Sequence, residues 1–263
     1  MLLSLHIPKT AGTAWRLFLE RNLGPQVSFA STEARDGQQI ASQALAFLDA
    51  GDREQARTCV STSPCRVIDG HRARDFLDLF PEAGALAWLR DPVDRLASEF
   101  LHFRSRQQPL EIAQRVARGE LDFVAFAEKN FRFYARYQER LETRPGPYCF
   151  FVDAHRSAGL GACRRHAGWV GVLPRRNVTP RSQYQQIENL EQAREHLRDV
   201  LHEEYAVYDA WTAAWADGSA QTSAKALLSL APPPGSRSLK NQMRRRLGVV
   251  KEGLGHLLGR DWR

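Results

Sequence analysis

Apolar residues gather in short runs separated by amphipathic stretches, and the alternation sets the expected elements. Leu2 to Ile7 is apolar almost throughout, as a strand buried on both faces requires, and Thr13 to Arg21 places Trp15, Leu17, Phe18 and Leu19 on a helix. Residues 37–58 are expected to be helical, with a break near Gly51-Asp52. Arg66 to Gly70 predicts a second strand, followed by a short helix around Asp75 to Phe80, and Ala85 to Leu89 predicts a third strand. Asp91-Pro92 then starts a helix to about Arg106, because Asp caps free amides and Pro fits the first helical turn. Val93, Leu96, Phe100 and Phe103 form its buried stripe, with Asp94, Arg95, Ser98 and His102 facing elsewhere.

Two amphipathic segments cover roughly 109–142, and Tyr148 to Val152 predicts a fourth strand. A helix near 157–168, an extended stretch around 170–178 and one long helix from about 186 to 214 complete the pattern. Strands alternating with helices point to an α/β domain with a mostly parallel sheet covered on both faces. Ligands in such domains bind at the carboxyl ends of the strands. After Asp217 the composition turns to small polar residues and then to Pro232-Pro233-Pro234-Gly235, which predicts a catalytic unit over 1–217, a flexible linker over 218–240 and a basic tail over 241–263.

Composition adds little until the charge is located. The chain has 263 residues and a formal charge of +7. Seven Lys or Arg against two acids fall between Lys240 and Arg263, so the excess is a tail property and no nucleic-acid partner is expected. A solvated extension is the expectation there, with weak contact to a membrane surface or acidic polymer as the alternative. Apolar runs stop short of a bilayer span, and the chain enters Pro8-Lys9-Thr10 too early for a leader peptide, so a cytoplasmic location is expected. Cys59, Cys65, Cys149 and Cys163 are expected as free thiols, with a Cys59–Cys65 bridge as the alternative, and their spacing does not predict a metal site.

Chemistry concentrates at three strand ends. Pro8 to Thr13 joins a buried strand to a helix start, where unpaired amides and the helix dipole favour an anion. Lys9 adds charge, Thr10 and Thr13 add hydroxyls, and Gly12 allows close approach. The order differs from the nucleotide-triphosphatase loop, in which Gly-Lys-Ser/Thr closes a longer glycine-framed turn.

His6-Ile7-Pro8-Lys9-Thr10-Ala11-Gly12-Thr13 resembles the 5'-phosphosulfate loop of carbohydrate sulfotransferases that use 3'-phosphoadenosine 5'-phosphosulfate (PAPS), the group including heparan sulfate 2-O- and 6-O-sulfotransferases. Leu89 to Phe100 is similar to the 3'-phosphate segment of the same family. The resemblance covers about residues 1–214. It implies a P-loop-like, three-layer sandwich in a single domain, PAPS as co-substrate without a metal, and a carbohydrate or other hydroxyl acceptor. Lys9, Thr10, Ala11, Gly12 and Thr13 would hold the 5' side, and Arg90 and Ser98 the 3'-phosphate, with Arg95 an additional contact. Asn177-Val178-Thr179 would lie near the cofactor.

Two positions depart from the family pattern. Ala11 replaces a common second glycine, which is harmless if the backbone there is ordinarily helical. Ala14 replaces a frequent Ser or Thr, removing a hydroxyl contact worth about 1 kcal/mol.

Attack by a sugar hydroxyl benefits from a general base near neutrality, and imidazole suits that task. His71, after Gly70 at a strand end, is the candidate base, supported by the Gly-His pair of the family; His6 competes, and a purely structural His71 is the bland alternative. Lys9 is the candidate for stabilising the leaving oxygen. Two other functions remain open: an ATP-dependent kinase, to which Leu89-Arg90-Asp91 bears an outward likeness, and a nucleotide- or polyanion-binding module without catalysis.

Overall fold

Residues 1–30, 40–106, 108–130, 132–174 and 181–235 are described by the structure, a computed structural model. Five strands, β1 (Leu2–Leu5), β2 (Val27–Phe29), β3 (Val67–Gly70), β4 (Gly84–Leu89) and β5 (Tyr148–Val152), form one sheet in the order β2-β3-β1-β4-β5. Every pairing is parallel. Successive side chains on a strand point to opposite faces, so burial at every position of β1, β3 and β4 means that both faces are covered. This is why those strands read as continuous apolar runs.

Leu5 is in register with Gly70 on one side and Ala87 on the other. The chain runs from β1 out to β2, returns to β3, and then crosses to β4 on the far side of β1. That reversal leaves a crevice beyond the carboxyl ends of β1 and β4.

Around the sheet lie α1 (Gly12–Leu23), α2 (Ile40–Asp49), α3 (Arg53–Ser61), α4 (Pro92–Ser105), α5 (Glu111–Ala117), α6 (Phe123–Lys129), α7 (Tyr134–Glu142), α8 (Arg156–Ala167), α9 (Arg181–Tyr184), α10 (Leu190–Val200), α11 (His202–Asp217) and α12 (Ala220–Leu228). Asp91 caps α4 as expected, accepting from Asp94 N at 2.9 Å. Val93, Leu96, Phe100 and Phe103 enter a second apolar cluster with Phe126, Leu197 and Tyr205, which ties α4 to α6, α10 and α11.

Several elements differ from the sequence expectation. β2 is an additional edge strand. The turn after β3 is a 3-10 helix over His71–Phe76, ahead of the helix expected at Asp75 to Phe80. The long helix of 186–214 is broken at Leu201, which has φ −102° and ψ 23°. Leu197, Leu201 and Tyr205 are buried on both sides of the break, so the apolar period runs through it without a mark.

The segment expected as a linker is structured through Gly235. Gly218 ends α11 at φ 86°, and Ala220, Ala224, Leu227 and Leu228 then form a buried stripe that packs on α8, β4 and β5. The polyproline run is held too, by Trp169 Nε1 donating to Pro232 O at 3.0 Å and Gly235 N to Asn22 O at 2.8 Å. Small apolar residues between polar ones hid a four-point helical stripe. The basic tail lies outside the described residues. All four cysteines are free, and among the described residues no helix is long and apolar enough to cross a membrane.

Candidate functional site

The loop leaving β1 turns through two left-handed residues, Lys9 at φ 65° and Ala11 at φ 74°. Ala11 therefore lacks the helical dihedrals under which its replacement of glycine would be neutral; an L residue held there costs about 1–2 kcal/mol. Backbone strain of this kind clusters at ligand sites. Thr10 is buried and donates its hydroxyl inward to Ile7 O at 2.8 Å, so that group closes the loop. Thr13 is exposed at the mouth and Ala14 is buried. Ala11 supplies no side-chain cap to α1 and the first turn carries no acid, which leaves the positive end of that helix suited to an anion.

Lys9 is half-buried. Burial lowers the pKa of its ammonium, an effect Glu99 opposes and the nearby charges of Arg106 and Arg90 reinforce. An anion in the crevice would relieve that crowding of positive charge.

Arg90 follows β4 and reaches Lys9 O with NH1 at 3.5 Å, so motifs some eighty residues apart meet across the β1/β4 crevice. Its NH2 donates to Tyr184 Oη on α9 at 2.9 Å. The backbone of Arg90 is held by buried Tyr134, whose hydroxyl donates to Arg90 O at 2.7 Å and lies 3.2 Å from Arg90 N. Ser98 lies on α4 and is 3% exposed.

Arg95 is placed otherwise than expected. It is 1% exposed and pairs with Glu99 at 2.9 Å, while Asn130 Nδ2 also donates to Glu99 at 2.9 Å. The guanidinium is committed inside the helix packing, one turn from where a 3'-phosphate contact was expected. Asp91 is equally committed: Oδ1 caps α4 and meets Arg194 at 2.9 Å, and Oδ2 accepts from Tyr205 at 3.1 Å. Trp15 and Trp88 are buried in the core.

His71 emerges where β3 ends. Gly70 has φ 139°, and a Cβ there would fall 2.2 Å from Ala30 O, so only glycine fits. His71 Nδ1 lies 2.9 Å from His6 O. A carbonyl only accepts, so this contact assigns a proton to Nδ1, and in the neutral ring the lone pair is then on Nε2. The rings of His6 and His71 stack at 4.1 Å and 16°. Next in sequence, Arg72 grips Asp49 at the end of α2 and Asp75 in its own turn, at 2.8 Å for NH1 and 2.7 Å for Nε, which pins the segment carrying His71.

The structure thus gathers Lys9, Gly12, Arg90 and the two histidines at one sheet edge and turns Thr10 inward. Sequence reasoning missed Tyr134, Tyr184 and the approach of Arg106 to Lys9, all set by tertiary packing. His102 was the one legible addition, a turn beyond Ser98 on α4; burial, with the charges of Lys9 and Arg106, lowers its pKa. At the neighbouring strand end Asp153 accepts from Tyr208 Oη at 3.3 Å, and burial raises its pKa against the opposing charge of Arg90. Asn177-Val178-Thr179 lies outside the described residues. Comparison with known proteins finds no matching family model, curated protein or solved structure.

Proposed function

We propose that the protein is a sulfotransferase that carries a sulfuryl group from PAPS to a hydroxyl of a carbohydrate acceptor. The observation that carries this reading is the approach of the Arg90 guanidinium to the backbone carbonyl of Lys9, at 3.5 Å, which brings the Arg90 charge beside the loop at the place where the strand order reverses. One anion-suited loop could serve any phosphate ligand; a second cation beside it suits a nucleotide bearing phosphate at both its 5' and 3' positions. The parallel sheet, with an anion-suited loop between its central strand and α1, also fits a P-loop-like sandwich.

In this reading the amides at the start of α1 and the Lys9 ammonium hold the 5'-phosphosulfate, and Arg90 and Ser98 hold the 3'-phosphate. His71 Nε2 takes the proton of the acceptor hydroxyl as its oxygen forms a bond to sulfur. The bond from sulfur to the bridging oxygen breaks in line, and Lys9 meets the charge that collects on that oxygen, which departs with adenosine 3',5'-bisphosphate. The proton gained by His71 then passes to solvent. The engagement of both Asp91 oxygens in the α4 cap, Arg194 and Tyr205 supports a structural role for that residue and weakens the kinase reading.

Calorimetric titration with adenosine 3',5'-bisphosphate, 5'-AMP and ATP, with and without magnesium, tests the proposal. Selective, metal-independent binding of the bisphosphate is expected. Preference for magnesium-ATP would replace this reading with a kinase, and bisphosphate binding without turnover on any sugar acceptor would replace it with a binding module.

A further inference from the structure

We propose that His6 is a positioning residue for His71: its carbonyl selects the tautomer and its imidazole face fixes the plane of the neighbouring ring. The inference rests on reading His71 as the base. Three contacts from one residue converge on the Gly70-His71 pair. His6 N donates to Gly70 O at 3.2 Å, continuing the β1–β3 ladder one residue past β1. His6 O holds His71 Nδ1 at 2.9 Å, and the two rings stack at 4.1 Å. A ring anchored at one edge by a hydrogen bond and along one face by a parallel surface loses rotation about its outer torsion, and the Nε2 lone pair keeps one direction.

The room for this arrangement comes from the phosphate loop. A Cβ on Gly12 would fall 1.6 Å from His6 Nε2, so the missing side chain of Gly12 is the space the His6 ring fills. Gly12 therefore seats the ring that orients His71, and the space its missing side chain leaves is taken by that ring. Burial, with the charges of His71, Arg16 and Lys9, lowers the His6 pKa to about 3. A proton arriving on His71 during turnover thus finds a neutral ring beside it.

A spacer chosen for volume alone would tolerate an aliphatic side chain, and this separates the two accounts. Nuclear magnetic resonance of histidine-labelled full chain reads the His71 tautomer directly, in H6F, which keeps a flat face, and in H6L, which keeps bulk without one. Both variants keep the residue 6 carbonyl, so the tautomer changes only if the His71 ring, without a flat face beside it, turns away from that carbonyl. Wild type and H6F are expected to hold a single Nδ1–H tautomer, and H6L a mixture. In turnover, H6L is expected to lose about tenfold to a hundredfold in kcat, the cost of a misoriented catalytic group, with bisphosphate affinity unchanged within about twofold. H6F should stay near wild type. A single tautomer in H6L, or a mixture equally in H6F, overturns the role of the flat face. A mixture in the wild type overturns the carbonyl's role. If sulfuryl transfer is absent, the tautomer measurement still decides how His6 and His71 are coupled, so failure of the enzymatic reading is told apart from failure of this one.

Discussion

Ser4 on β1 donates its hydroxyl to Asp69 on β3 at 2.5 Å, and the same oxygen of Ser4 accepts from Trp15 Nε1 at 2.9 Å. The carboxyl is fully buried in the sheet, two residues before His71. Burial raises its pKa from 3.8 to about 7, against the weaker opposing effects of the Ser4 hydrogen bond and Arg16. A raised carboxyl pKa means the folded protein keeps a proton that the unfolded chain loses. The contribution to stability is therefore complete below about pH 4 and falls away as pH rises through 7, by roughly 4 kcal/mol in all. Asp69→Asn keeps an acceptor for Ser4 and removes the ionisation. Urea unfolding of both proteins at pH 5 and pH 8 should show the variant gaining on wild type at the higher pH. An equal difference at both values would mean that Asp69 does not titrate in this range.

Ala11 carries a strain that glycine would relieve. At φ 74° and ψ 20° an alanine costs about 1–2 kcal/mol, whereas glycine gives back roughly 0.5–1 kcal/mol through the freedom of its unfolded chain. Ala11→Gly should therefore stabilise by about 0.5–1 kcal/mol, or roughly 1–4 °C in Tm by calorimetry. A loss of stability would show that the Ala11 side chain makes contacts worth more than its backbone strain.

Glu204 is another internal carboxylate with a clear task. From α11 it accepts from Tyr134 N at 2.9 Å, Ala135 N at 3.2 Å and Phe133 N at 3.1 Å, closing the amino end of α7 with a side chain from another element. Removing it leaves several amides of a buried helix end unmet, so Glu204→Ala should lose about 3 kcal/mol in urea unfolding. Because α7 also carries Tyr134, the clasp on the Arg90 backbone should loosen with it, and bisphosphate affinity should fall alongside stability. Full stability in this variant would show that solvent replaces the cap.

These dependencies explain which parts of the molecule were legible in its sequence. Strands buried on both faces are written as unbroken apolar runs, and Asp91-Pro92 states a helix start in two residues, so β1, β3, β4, β5 and α4 could be placed in advance. β2 has only Val27–Phe29, too few residues to show a period. Arg95 misled because charge normally marks an exposed face; here Glu99 one turn on compensates it inside the packing. The left-handed Ala11 was invisible, since alanine is the strongest helix former and nothing in its identity announces positive φ. Tyr134 and Tyr184 reach Arg90 from 44 and 94 residues away, a relation only the folded chain creates.

His71→Ala separates chemistry from binding. With Nε2 gone, the rate should fall about a hundredfold to ten-thousandfold, the usual contribution of a general base. Bisphosphate affinity should hold, because the ring sits on the His6 side of the loop and Arg90 is anchored elsewhere, at Tyr134 and Tyr184. Unchanged turnover would remove His71 from the mechanism and return the role of base to the competing candidate, His6.

Arg90→Ala tests the 3'-phosphate assignment through the difference between two ligands. Adenosine 3',5'-bisphosphate should weaken by about 2 kcal/mol, the worth of a charged hydrogen bond, while 5'-AMP should change little. Arg90→Lys should rescue poorly. A lysine brings charge without the planar fork that reaches Lys9 O and Tyr184 Oη from two nitrogens of one group, and a guanidinium fork is the group whose geometry matches phosphate with two parallel donors. Calorimetry on both ligands, with a melting curve for each variant, reads the comparison directly. Equal losses for the two nucleotides at unchanged Tm would assign Arg90 to the 5' side of the crevice. Equal losses with a lowered Tm would assign it to the packing of β4 against the Lys9 loop.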